Sequence, residues 1–138
     1  MKLDHDRIRD KLRDIEKSLE RLNKFRENGR ENFLADEDIQ DIARSRLLTA
    51  IEAALNICFH VTAKKLKQVP EDYGDCFRNL GAANLIDPPL AERLADMARF
   101  RNRLVHLYWD IDYGDVYNII ENHLTDLNMF SAQIADLL

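Results

Sequence analysis

Apolar residues recur along this chain at spacings of three and four, with no strand-like alternation. Ile8, Leu12, Ile15, Leu19 and Leu22 set the pattern, on a stretch whose other faces are crowded with Asp, Glu, Lys and Arg. That spacing predicts an amphipathic helix over residues 3–26, its charged faces in solvent. Asn28-Gly29 breaks it, and Phe33 and Leu34 are expected to plug the edge of the core. Residues 36–67 read as a long second helix, apolar around most of its circumference from Leu47 to Leu66, as the central helix of a bundle would be. A narrow polar stripe on it, Thr49, Glu52, Asn56 and His60, reads as facing a groove or a partner subunit rather than as an acid–base pair. Val69-Pro70 ends this helix, and Asp72 with Asp75 caps a short one running to about residue 83. Asp87-Pro88-Pro89 opens the next, with Asp as cap and Pro at the first helical position, and it carries Leu90, Leu94 and Met97 inward. Asp112 and Asp115 cap a final helix with a seam of Val116, Ile120, Leu124, Leu127, Ile134 and Leu138. The expected fold is all-α: an antiparallel bundle of four long helices and one short, forming one domain over residues 1–138.

Composition narrows what such a bundle can do. With 138 residues, 46% apolar and 33% charged, and only four Gly and three Pro, the chain has the make-up of a soluble helical protein with a single core. Its net charge of −5 opposes tight non-specific nucleic-acid binding, so any RNA contact must come from a local patch such as Arg93, Arg99, Arg101 and Arg103. Cys58 and Cys76 make neither a disulfide framework nor a metal site, and His5, His60, His106 and His123 share no ligand spacing. The glycines are isolated, which excludes a phosphate-cradling loop, and no cofactor is implied. The N-terminal residues are charged, and no run approaches the roughly 20 apolar residues of a membrane span. A cytoplasmic protein without membrane contact is the expectation.

Chemistry concentrates in residues 99–110, Arg-Phe-Arg-Asn-Arg-Leu-Val-His-Leu-Tyr-Trp-Asp. Arg101 is out of place there. At about 100° per residue it falls in the stripe of Leu90, Leu94, Met97, Leu104 and Tyr108, where a charge needs a partner or a ligand. His106 projects roughly 140° away by the same arithmetic. One straight helix therefore should not aim both at one small target: either it ends between them, or a second copy of the chain completes the site. Asn102 stands one turn before His106 on the same face and could hold its ring. RNA can be cut without a metal, because its own 2′-hydroxyl attacks the neighbouring phosphorus. That reaction asks for a base near neutral pKa, the property of histidine, and a cation for the charge building on phosphate, which the planar fork of arginine matches.

The motif Arg101, four residues, His106, one residue, Tyr108 resembles the Arg-x4-His-x-Tyr signature of HepT toxins, in the HEPN superfamily of small helical ribonucleases. Asn102 matches the polar residue that commonly follows the motif arginine, and the likeness extends through residues 50–55, 70–73, 97–109 and 111–112. The resemblance implies a metal-independent endoribonuclease acting as a homodimer, with Arg101, Asn102 and His106 catalytic and both chains lining one cleft. Arg99, Arg103 and Trp109 are the expected RNA contacts. It also implies a cognate partner, a minimal nucleotidyltransferase antitoxin of the MntA kind, which silences the toxin by attaching AMP to Tyr108. The rival reading is a non-catalytic nucleotide-binding or docking module for such a nucleotidyltransferase.

Overall fold

Aspartates start most of the helices. The carboxylate of Asp4 accepts from the N–H of Arg7, Asp36 from Asp38 and Ile39, Asp72 from Asp75, and Asp112 from Gly114. Each satisfies a donor that the first turn leaves unpaired. The computed structural model of the protein describes residues 2–106 and 108–138, with the main chain alone at Tyr108. The helices are α1 His5–Asn28, α2 Arg30–Leu34, α3 Glu37–Val61, α4 Tyr73–Ala82, α5 Pro88–His106, α6 Tyr113–Asn122 and α7 Leu124–Ala135. A π-helical turn, Thr62–Leu66, extends α3, and a 3-10 turn, Tyr108–Asp110, follows α5. No strand occurs among the described residues.

The central helix is α3, which packs against α1, α4, α5 and α7. Leu47, Ala50, Ile51, Ala54, Ile57 and Val61 are buried in it, and Ile8, Ile15, Leu19 and Leu22 of α1 close over that surface. With its π turn the helix spans 30 residues and contains a window of mean hydropathy 1.2, long and apolar enough to cross a membrane by length and composition. Counting uninterrupted apolar runs overlooks this window. Its apolar surface is used internally, since 56% of the window is buried in the bundle.

Two expectations are corrected and one is made specific. Phe33 is buried and meets the rings of Tyr113 and Tyr117, whereas Leu34 stands 45% exposed and plugs nothing. Asp87 takes the cap position of α5 through its carbonyl, which accepts from the Ala91 N–H at 2.9 Å, while its side chain is engaged with α7. Its carboxylate accepts from the Gln133 side-chain amide and its N–H donates to the Gln133 side-chain oxygen, tying the start of α5 to α7. The final helix is broken at His123, where φ is −126°. Just beyond the break Asp126 is buried, where it accepts from Arg93 Nε at 2.9 Å and meets His123 Nδ1 at 3.2 Å. A carboxylate that is 6% exposed needs such partners, and Arg93 and His123 supply them.

Candidate active site

The site grows from the core-facing stripe of α5. Leu90, Leu94, Met97 and Leu104 are buried, and Arg101 lies among them with its side chain 20% exposed. The charge in this stripe has found its partners. Its Nη2 donates toward Glu52 Oε1 of α3 at 3.3 Å, its Nη1 to Asn102 Oδ1 at 3.3 Å, and its guanidinium carbon sits 5.3 Å from the centre of the Tyr73 ring at the start of α4. Tyr73 is itself braced edge-on by Phe59 of α3, ring centres 6.0 Å apart. The Nε of Arg101 is buried and has no hydrogen-bond partner among the described residues. A buried guanidinium N–H without an acceptor is costly.

Arg101 forms the wall between two openings. The larger, about 430 Å³, lies between the first turns of α4 (Asp72, Tyr73, Gly74, Arg78) and the last turns of α5 (Ala98, Arg99, Arg101, Asn102, His106). The smaller, about 210 Å³, runs along α3 past Glu52, Leu55, Asn56 and Phe59 to Tyr73 and Arg101. Helix α5 is continuous to His106, so it does not end between the two motif residues, yet both line the larger cleft. The length of the arginine side chain spans the angle that the helical projection assigns between them. Arg44 of α3 donates to the Leu104 carbonyl at 3.3 Å, tying the central helix to the last turn of α5.

Arg99, Arg101, Asn102 and His106 thus come together on one cleft. Arg99 is exposed and pairs with Asp96 at 3.7 Å. Arg103 instead turns to α6, where it meets Asp115 at 3.5 Å, and it covers the Phe100 ring. Arg93 is engaged with Asp126 and belongs to the α5–α7 contact rather than to a free basic patch. Trp109 is 71% exposed in the turn beyond α5. The expected modification site lies outside the described residues, since nothing of the Tyr108 side chain is described and Leu107 is not described at all. The apolar stripe of α5 is buried in the core, whereas Thr49 and Glu52 on the polar stripe of α3 are exposed.

Sequence reasoning passed over Tyr73 and Arg78, and it placed Glu52 on a groove-facing stripe without pairing it with Arg101. The polar stripe of α3 was the available signal for Glu52, and residues 70–73 fall within the family likeness. His60, in the same stripe, is structural, for its Nε2 accepts the Asp4 N–H at 2.9 Å. Burial, aided by the nearby Arg7 charge, lowers its pKa from the ordinary 6.5, consistent with a neutral acceptor. Cys58 and Cys76 are buried free thiols, and burial with the Cys76 thiol alongside pushes Cys58 well up. Among the described residues no group of three His, Cys, Asp or Glu side chains is placed to hold a metal ion.

The family model described as ribonuclease HepT-like matches residues 15–134. The mRNA nuclease HepT of Shewanella oneidensis is 29% identical over 126 residues, covering 91% of this chain and 94% of its own. The tRNA nuclease HepT of Aphanizomenon flos-aquae is 30% identical over 131 residues, covering 95% and 89%. Among solved structures, the tri-AMPylated Shewanella oneidensis HEPN toxin in complex with an MNT antitoxin superposes with a TM-score of 0.86 at 28% identity, covering 99% of each chain.

Proposed function

We propose, for a chain that belongs to the ribonuclease HepT-like family, that it is the endoribonuclease toxin of a pair with an MntA-like minimal nucleotidyltransferase, its 138 residues acting as one helical domain. The nuclease relatives and the toxin–antitoxin complexes of similar fold support the coarser part of this reading. One observation carries the rest: Arg101 is held in an apolar stripe by Glu52, Tyr73 and Asn102 at the wall of the cleft that His106 also lines. A guanidinium drawn into an apolar stripe loses hydration that its contacts only partly restore, so stability is a poor reason for it to be there. A reaction at phosphate gives the charge a use.

The reaction uses the substrate's own nucleophile. A base takes the proton of a ribose 2′-hydroxyl, and the 2′-oxygen forms a bond to the adjacent phosphorus. The bond from phosphorus to the 5′-oxygen breaks, and an acid protonates that oxygen. The products are a 2′,3′-cyclic phosphate and a 5′-hydroxyl end. Arg101 supplies the positive charge for the phosphorane-like state, so the chemistry asks for no metal. His106 exchanges the proton, with Asn102 one turn before it orienting the ring. Since each chain brings one such histidine, a homodimer gives the cleft both an acid and a base. Arg99 and Trp109 flank the site as RNA contacts, and Arg103 joins them by exchanging Asp115 for phosphate. Control follows from transfer of AMP from ATP to the Tyr108 phenol, pyrophosphate leaving, which adds a phosphate and a base two residues after His106 in the motif.

The test is cleavage of total cellular RNA in excess EDTA by unmodified wild type and a matched His106→Ala protein. Cutting by wild type alone, with cyclic-phosphate ends, is expected. Equal cutting by both would remove His106 from the mechanism, and no cutting by either would favour the docking module. Tyr108→Phe is expected to keep cleavage and to escape silencing by the antitoxin with ATP.

A further inference from the structure

Glu52 has no role in the reaction above, yet it is the only carboxylate within salt-bridge distance of Arg101 among the described residues. We propose that Glu52 is the positioning residue of the site: its carboxylate fixes the Arg101 guanidinium across the Tyr73 ring, so that the cationic face is presented to the phosphate already aimed. This inference rests on the ribonuclease reading of the cleft and deepens it.

The geometry is specific. The guanidinium has a pinned corner at Glu52, a supported face at Tyr73, and a second corner at Asn102. Each partner comes from a different element: α3, α4 and α5. None of these contacts is strong alone, because the Glu52 side chain is 48% exposed and an ion pair at such a site is weak. Together they remove the rotameric freedom of a long side chain, which is what orientation in a transition state requires. Glu52 also bears on the smaller opening while His106 bears on the larger, so the carboxylate acts behind the arginine and not on the reacting atoms. The buried Nε, without a hydrogen-bond partner among the described residues, marks the cost of this arrangement.

The experiment uses the full chain and two independent readouts. The first is hydrogen exchange at the Arg101 Nε–H, assigned by NMR from its loss in Arg101→Lys. Exchange should be slow in wild type and accelerate by about 10-fold or more in Glu52→Ala, with Glu52→Gln between, as expected when a held group is released. The second is cleavage of a short RNA. Here kcat should fall roughly 10- to 100-fold in Glu52→Ala, as misaligned catalytic groups do. KM should change little, the pH profile should keep its shape, and Glu52→Gln should recover part of the loss. Unchanged exchange in Glu52→Ala would overturn the proposal, as would undiminished kcat. Loss of the acidic limb of the pH profile would overturn it too, because Glu52 would then be exchanging a proton itself. A wild type that cuts no RNA would sink the ribonuclease reading, and the exchange measurement would still decide whether Glu52 holds Arg101. Glu52→Gln, nearly the same in volume, keeps the test open should the alanine variant fold poorly.

Discussion

A lysine in place of Arg101 would keep the charge and lose the shape. Its ammonium cannot lie flat over Tyr73 while reaching Glu52 and Asn102, and it offers phosphate a point instead of a fork. Arg101→Lys is therefore expected to lower kcat by roughly 10²- to 10³-fold, the usual cost of removing a transition-state donor. Thermal unfolding should move little. A fully active lysine variant would mean that the planar contact is dispensable. The misfit of Arg101 was legible from helical period alone, because an apolar stripe interrupted by a guanidinium is a local pattern. Its remedy was not. Glu52 lies in a helix far away in the chain, and nothing in the spacing along either helix says which carboxylate will face which arginine.

At the level of the elements, the cleft depends on how closely α4 lies on α5. Gly81 sets that distance: a Cβ there would stand 2.7 Å from the Ala91 Cβ and 3.4 Å from the Pro88 Cα. Helix α4 is also the element that begins with Tyr73. Gly81→Ala should push the two helices apart and destabilise the fold by about 1–3 kcal/mol, as overpacking does. It should also lower activity by shifting Tyr73 under Arg101. Denaturant unfolding measures the first effect, and an unchanged midpoint would show that the helices yield without cost. Most helix starts were legible, since Asp before an apolar repeat is a strong local signal and Asp36, Asp72 and Asp112 fulfil it. The break at His123 was not, because no Gly or Pro marks it in the sequence. Nor was the short α2, which depends on Phe33 finding the rings of α6.

Over the whole molecule, His60 ties the segment before α1 to the central helix through the Asp4 N–H. Its pKa in the folded chain lies below the ordinary 6.5, from burial first and the Arg7 charge second. The unfolded chain therefore takes up a proton at a higher pH than the folded one. The stability this histidine contributes is complete above about pH 6.5 and is lost as pH falls through the depressed folded value. In unfolding curves across that window, His60→Gln should flatten the pH dependence while keeping an acceptor for Asp4. A slope identical to wild type would assign the dependence to other groups. The ion pairs of the arginines bear on a different property, the field felt at a distance. Arg78, Arg93, Arg99, Arg101 and Arg103 each stand within 4.0 Å of a carboxylate, on a chain of net charge −5. Beyond a Debye length of about 8–10 Å such pairs present almost no monopole to a polyanion. Five unpaired arginines on single-stranded RNA would give a log–log salt slope of about −3.5, whereas neutralised ones should give about −2 or shallower. A steep slope in equilibrium binding across salt would contradict this. With so little attraction at long range, association should proceed at an ordinary rate with no electrostatic acceleration, and an RNA would be selected by how it fits on arrival rather than by being drawn in.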